Sequence, residues 1–307
     1  MLKKNLIILG AGPAGLTAAL YAARANLDPT IISGMDEGGQ ITKTHVLDNW
    51  PGDVQGIDGM TLASRFVEHA KRFNTNIIND NIIAVDFKQR PFYLKGENEE
   101  YFAHAVIIAT GASPRLLNLP RETELTGKGV SYCAVCDGYF YKGAKIAVIG
   151  GSDTAVIDAL YLANIAKEVV LVHRRNQLRA EPILIDKLMK TPNVTFEWDS
   201  VVTEILGDET VTGARLQNVK NNQTKDLIIS GLFIAIGYKP NTDIFINQLE
   251  MNEGYIKVKG GLINATATSI DGVFAAGDVI NPNYQQAVIA AASGAMAAMD
   301  VKKAINN

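Results

Sequence analysis

Cysteine is scarce in this chain: 307 residues hold two, Cys133 and Cys136. One pair cannot build the disulfide framework of a small secreted domain. Histidine is sparse too. Its four residues (His45, His69, His104 and His173) are scattered, which leaves a four-ligand zinc site short of donors. Positive charge is not in excess, since 29 Lys and Arg stand against 32 Asp and Glu, a net charge of −3. Without a basic footprint, nucleic acid is not an expected partner. Long apolar runs are missing. The stretch from Ala287 to Met299 falls short of the roughly 20 residues that span a bilayer, and Ser293 and Gly294 interrupt it. Met1-Leu2-Lys3-Lys4 before an apolar run imitates a secretion signal, but Gly10, Gly12 and Gly15 fall inside the supposed apolar core. A nucleotide-binding turn accounts for them better. The expectation from these absences is a soluble cytoplasmic protein with neither membrane nor nucleic-acid partners. What is present, 47% hydrophobic and 20% charged residues with 27 glycines, is ordinary for a globular α/β protein. The length predicts two domains.

The two cysteines sit together in Ser131-Tyr132-Cys133-Ala134-Val135-Cys136-Asp137-Gly138. A Cys-x-x-Cys pair brings two sulfurs close enough to cycle between dithiol and disulfide, and such motifs often lower one thiol's pKa. Asp137 is placed to donate or accept a proton as a thiolate attacks or leaves. Half of a metal site, or two unrelated buried thiols, are the competing readings.

Two glycine turns frame the pair. Leu6 to Leu9 reads as a buried parallel strand, and Leu16 to Arg24 as a helix rich in Ala and Leu. Between them lies Gly10-Ala11-Gly12-Pro13-Ala14-Gly15, in the strand–turn–helix context that a dinucleotide fingerprint requires. Gly10 permits the tight turn, Gly12 lets the backbone approach a pyrophosphate, and Gly15 lets the helix pack on the strand. The acid expected after the next strand, Thr30 to Ile32, is replaced by Ser33. Gly38-Gly39-Gln40 and Asn49-Trp50-Pro51-Gly52 form loops that could wrap a flat cofactor, or are plain turns. Gly59 to Phe73 reads as an amphipathic helix with Met60, Leu62, Phe66 and Ala70 on one face. Ala105 to Ala109 is a buried strand ending in Thr110-Gly111.

The second unit opens with the strand Lys145 to Ile149, followed by Gly150-Gly151-Ser152-Asp153-Thr154-Ala155 and a helix to about Ala163. Ser152 stands at the middle glycine of the pattern. After the strand Glu168 to Val172 come His173-Arg174-Arg175, with Arg179 expected one helical turn on. Cations at the place of an NAD-type acid suit a 2′-phosphate, so NADP is expected over NAD. Gly231 to Gly237 closes this unit as Ala105 to Gly111 closes the first. Val273 to Asp278 is a strand ending in Gly277-Asp278, whose acid could hold a polyol. Tyr284 to Ala304 reads as one long helix with N–H groups near Gln286 and Ala287 at its start.

Together these residues resemble the low-molecular-weight, bacterial-type thioredoxin reductases over nearly the whole chain. The carrying motifs are the Gly10–Gly15 turn, Gly38-Gly39-Gln40, Asn49-Trp50-Pro51-Gly52, Ala109-Thr110-Gly111, Cys133 to Gly138, His173-Arg174-Arg175, Gly277-Asp278 and Gln286-Ala287. The resemblance implies two Rossmann-like α/β domains. An FAD-binding domain would take residues 1–115 and 245–307, with an NADPH-binding domain, 116–244, inserted and carrying the Cys-x-x-Cys. It implies a homodimer, rotation of one domain against the other, and thioredoxin as protein substrate. Cys136 would lie next to the flavin, Cys133 would attack thioredoxin, and Asp137 would move the proton. Gly39, Gln40, Asn49, Thr110, Gly111, Asp278, Gln286 and Ala287 would join the first glycine turn around FAD. Lys128, Tyr139 and Phe140 match thioredoxin contacts, although aromatics after a glycine are also ordinary core. The chain departs from the pattern at Ser152, at Gln285 (often Arg), and at Ile157-Asp158 (often two Glu). Two other readings stay open: a flavin reductase for ferredoxin or flavodoxin, whose electrons bypass sulfur, and a non-catalytic redox sensor.

Overall fold

The computed structural model describes residues 2–306 apart from His45 and Asp48, so His45 of the four histidines lies outside the described residues. The chain forms two compact units, Met1–Ser113 with Lys239–Asn307, and Pro114–Tyr238. The described helices are α1 (Pro13–Arg24), α2 (Gly59–Lys71), α3 (Ala134–Asp137), α4 (Asp153–Ala163), α5 (Pro182–Met189) and α6 (Ala287–Asn306).

In the first unit, Leu6 to Leu9 are buried on both faces, as a continuous apolar run in a central parallel strand must be. The sheet runs Asn76–Ile78, Pro29–Ile32, Leu2–Leu9, Glu100–Ile108, Phe92–Gly96, Ile82–Asp86. Its first four strands are parallel and its last two antiparallel. Val273–Ala275 pairs in parallel with the end of Glu100–Ile108, so the C-terminal segment completes a sheet begun at residue 2. Helices α1 and α6 pack on one face through small side chains, among them Ala14, Ala18, Ala290 and Ala297.

Two expectations for this unit need correction. Met60 is 57% exposed, whereas Leu62, Ala63, Val67 and Ala70 form the buried face of α2. At about 100° per residue, Met60 lies roughly 160° around the helix from Leu62. Helix α6 starts at Ala287 rather than Tyr284. The chain turns at Asn281-Pro282-Asn283, where the Asn283 N–H donates to Asn281 Oδ1 at 2.8 Å, and the helix begins after that turn.

The second unit is built on a five-stranded parallel sheet, ordered Val130–Ser131, Gly231–Ile234, Lys145–Ile149, Glu168–Val172, Val194–Glu197. Alternation along its strands divides the core in two. Ile146, Val148, Val169 and Leu171 face α4 and α5. Ala147, Ile149, Val170 and Val172 face an antiparallel sheet of Ser200–Leu206, Gly213–Asn218 and Thr224–Ile228. Among the described residues no helix is long and apolar enough to cross a membrane, and no cluster of His, Cys, Asp or Glu could hold a metal ion.

Candidate active site

In the first unit everything converges on the Gly10–Gly15 turn. Gly10 has φ +105° and donates its N–H to Ile32 O at 2.8 Å. A Cβ there would lie 2.4 Å from Ala109 O, so Thr110 and Gly111 are held against the turn. The Gly38 N–H donates to Ala11 O at 2.9 Å, and a Cβ on Gly39 would come within 2.8 Å of Gly12 Cα. The loop carrying Gly39 and the exposed Gln40 therefore lies on the turn. From the C-terminal side, Cβ atoms on Gly277 and Gly294 would meet Ala14 at 2.9 and 2.0 Å. Ser293 Oγ accepts the Gly277 N–H at 2.8 Å. The Asn49 side-chain amide donates to Gln286 Oε1 at 3.0 Å and ties its loop to the start of α6 at Ala287.

These residues fit a dinucleotide. Gly12, with Pro13 behind it opening α1, leaves its backbone open on the approach side, since a Cβ there meets nothing nearer than 3.8 Å. The Asp278 carboxyl, pushed up to about 6 by burial, has no partner among the described residues, and the buried Gln285 Nε2 is likewise unpaired. Ser33 is not free for a ribose: it is 5% exposed, and its one hydroxyl hydrogen is shared between Gly34 O at 3.0 Å and Ile78 O at 3.3 Å.

In the second unit, Gly150 (φ +156°) ends the strand Lys145–Ile149, and Ser152 caps α4 without a side-chain cap bond. Residue 151, absent from the sequence-derived site, is the tightest position here. A Cβ on Gly151 would lie 2.3 to 2.7 Å from three atoms of the His173 ring. That ring is 6% exposed and its Nε2 has no partner. Burial foremost, with Arg179, Arg174 and Arg175 adding to it, holds His173 below the usual histidine value. Arg179 is not one helical turn beyond Arg175. Residues 174–180 form an irregular loop, and α5 begins only at Pro182. Two bonds hold the loop over the glycine turn: Arg179 N–H to Gly151 O at 2.7 Å, and Glu181 N–H to Asp153 Oδ1 at 2.8 Å. Arg174, Arg175, Asp153 and Thr154 are exposed around it. None of the three guanidinium groups is ion-paired among the described residues. Unpaired cations beside an orphaned imidazole nitrogen fit a phosphate-bearing nucleotide. On α4, Asp158 is pushed up to about 6 by burial.

The same unit carries the sulfur pair. Cys133 and Cys136 are joined as a disulfide with Cα atoms 5.3 Å apart, which leaves neither sulfur as an inert thiol or a zinc ligand. The Cys136 N–H donates to Cys133 Sγ at 3.2 Å. Burial pushes the Asp137 carboxyl up, and the Ser131 hydroxyl bonded to it pulls the other way. Glu122, 1% exposed, accepts from the Leu117 and Leu119 N–H groups and from the Tyr132 hydroxyl, bracing the residue before Cys133. Neither Glu122 nor Ser131 carries a role in the sequence reading: their partners are only 2 to 10 residues away, but their residue types do not reveal these bonds. Gly138 packs so closely on α4 that a Cβ would lie 2.8 Å from Leu162 Cδ2. The aromatics that follow are not core: Tyr139 is 62% and Phe140 50% exposed. Phe140 lines a cavity of about 900 Å³ together with Lys128 and Ile228, among others.

Comparison with known proteins agrees with this geometry. The pyridine nucleotide-disulphide oxidoreductase family matches residues 4–294. A thioredoxin reductase of Vibrio cholerae is 53% identical over 99% of this chain and 97% of its own. A solved thioredoxin reductase from Giardia duodenalis superposes with a TM-score of 0.93 at 38% identity, covering all of both chains. A Pseudomonas fluorescens protein named glucosaminate ammonia-lyase is 52% identical over 97% of this chain and 95% of its own. Overall identity at this level therefore does not choose the reaction, and the site must.

Proposed function

The chain belongs to the pyridine nucleotide-disulphide oxidoreductase family, and we propose that it is a thioredoxin reductase passing electrons from NADPH through FAD to the Cys133–Cys136 disulfide and on to thioredoxin. The observation that carries the reading is that disulfide, followed at once by a half-buried acid in the unit that also holds the arginine loop. It distinguishes this reading from a flavin reductase for ferredoxin or flavodoxin, which has no use for a sulfur pair. A non-catalytic sensor predicts negligible steady-state NADPH oxidation with every disulfide protein tried.

Residues Gly10 to Gly15, Gly39, Asn49, Thr110, Gly111, Asp278 and Gln286 are proposed to hold FAD in the unit built from both chain ends. Gly150, Ser152, Asp153, Thr154, His173, Arg174, Arg175 and Arg179 are proposed to hold NADPH. Bound there, the two cofactors supply the hydride chemistry that reduces the disulfide. The chain's own residues then perform thiol–disulfide exchange. The Asp137 carboxylate takes the Cys133 proton, the Cys133 thiolate attacks one sulfur of the thioredoxin disulfide, and the displaced thiolate collects that proton from Asp137. The Asp137 carboxylate then removes the Cys136 proton, and Cys136 attacks Cys133 Sγ. The Cys133–Cys136 bond re-forms, the second thioredoxin thiolate leaves, and it collects that proton. Two electrons and two protons pass from the dithiol to the substrate. Tyr139, Phe140 and Lys128 offer the docking protein an exposed aromatic edge with one cation. Ile289, Met296 and Met299, 43 to 54% exposed along α6, support a homodimer. A reducing cytoplasm suits a pair that must be re-reduced each cycle.

The purified protein should be yellow. NADPH should bleach its flavin band, and oxidised thioredoxin should restore it. A colourless protein that takes up no flavin, or a bleached one that thioredoxin leaves bleached, overturns the reading. Arg174→Ala should raise KM for NADPH about tenfold or more, the worth of a charge-assisted hydrogen bond to phosphate, with little change for NADH. Equal losses for both nucleotides would remove the phosphate role of Arg174.

A further inference from the structure

Ser131 lies on the two-residue strand Val130–Ser131 that ends just before the redox segment, and it is 2% exposed. Its hydroxyl is 2.6 Å from Asp137 Oδ2 and 3.3 Å from Cys133 O, and it accepts the Cys133 N–H at 3.1 Å. One serine hydroxyl has a single hydrogen and two lone pairs, so it cannot donate to both oxygens at once. While Asp137 is ionised, the hydrogen belongs to the shorter, charge-assisted bond to the carboxylate. Once Asp137 takes up a proton, that carboxyl becomes the donor in the same contact. The serine hydrogen is then released to turn toward the Cys133 carbonyl. Both arrangements satisfy every group, and both reach the peptide of Cys133 through one atom, Ser131 Oγ.

We propose that Ser131 is the positioning residue of the redox segment: it orients the Asp137 carboxyl for proton exchange with the sulfurs and ties that carboxyl's protonation state to the backbone of Cys133. The proposal rests on the thioredoxin reductase reading above. The proton is conserved throughout: it passes between a sulfur and the Asp137 carboxylate, breaking an S–H bond and making an O–H bond, while Ser131 keeps its own hydrogen and only turns it between Asp137 Oδ2 and Cys133 O. Among the described residues no other side chain donates a hydrogen bond to the Asp137 carboxyl. Asp137 has no ion-pair partner among the described residues. The titratable groups packed around it are Tyr141 of the following turn, which feels the Asp137 charge, and Tyr139 beside it. Helix α4 adds Tyr161, whose ring lies 3.2 Å from where a Gly138 Cβ would stand, and Asp158. Lys142 and the Tyr132–Glu122 pair flank the segment in sequence and space.

Removing the hydroxyl withdraws a donor that favours the carboxylate, so Asp137 should stay protonated to higher pH. In the flavin-loaded protein, Ser131→Ala should lower thioredoxin turnover about tenfold near neutral pH, a part of the roughly 10²- to 10⁴-fold that a positioned acid–base group supplies, because Asp137 itself is still present. The acid limb of the pH profile should move upward, because Asp137 must be ionised to take the Cys136 proton. Ser131→Thr, which keeps the hydroxyl, should restore both. An unchanged acid limb in Ser131→Ala, or a well-folded Ser131→Thr that restores neither property, overturns the proposal. If the added methyl prevents Ser131→Thr from folding, infrared titration of the Asp137 carboxyl in wild type and Ser131→Ala decides: a move to higher pH supports the role, and no move removes it. Failure of the parent reading looks different, since the wild-type protein would then not turn over thioredoxin at all.

Discussion

Cys136→Ser is expected to lower turnover with thioredoxin by on the order of 10³-fold or more, because covalent relays fail as a unit when one member is lost. NADPH should still bleach the flavin. The two cysteines fail in different ways. With Cys136 gone, Cys133 can still attack, so a mixed disulfide with thioredoxin should accumulate and be visible on a non-reducing gel. With Cys133 gone, no such adduct should form. The Cys136 N–H directed at Cys133 Sγ favours a thiolate on Cys133 in particular, which agrees with that order. Full turnover in Cys136→Ser would show that electrons leave without passing through sulfur, as a ferredoxin or flavodoxin reductase requires. Trapping on Cys136 in place of Cys133 would reverse the assigned roles.

The second large effect belongs to Gly15. A Cβ there would lie 1.9 Å from Gly10 O and 3.0 Å from Gly10 C, both backbone atoms of the turn itself. Nothing flexible can give way, so α1 must lift from the sheet. Gly15→Ala should cost about 3 kcal/mol or more, the upper range for overpacking a filled core. It should lower the melting temperature even without cofactor. Gly12→Ala is the instructive contrast. Its nearest neighbour would be Gly39 Cα at 3.8 Å, and Gly12 is not in the left-handed region, so the fold tolerates the methyl. The methyl would instead stand where a pyrophosphate approaches, and flavin affinity should fall while the apoprotein's melting temperature holds. Equal melting of the two variants without flavin would refute the division of labour between the two glycines.

Much of this was legible because the relevant chemistry is local. Apolar runs, Gly10 to Gly15 and the Cys-x-x-Cys are each contiguous, and the backbone dictates their form without outside help. The misses have another character. Met60 is apolar and near the right face, but its angular position puts it in solvent. Arg179 follows a segment with no helix breaker before Pro182, yet Gly151 O captures its N–H and keeps the segment a loop. The fingerprint drew attention to Ser152, while the crowded atom is on Gly151, where a histidine from the next strand's end lands. Ser131 and Glu122 are ordinary residues by type. Their importance comes from buried hydrogen bonds to the redox segment, which no spacing rule encodes.

The interleaving of the two units has a consequence for biosynthesis. Pro114–Tyr238 is one uninterrupted stretch and can close while the ribosome is still translating. Its partner unit cannot. The central sheet waits for Val273–Ala275, and Ala14 waits for Gly277 and Gly294, so the first strands made must remain unsealed until residue 294 has been translated. Nascent chains of this protein should therefore expose the apolar face of α1 from its emergence until residue 294 is made, a natural substrate for a holding chaperone at the exit tunnel.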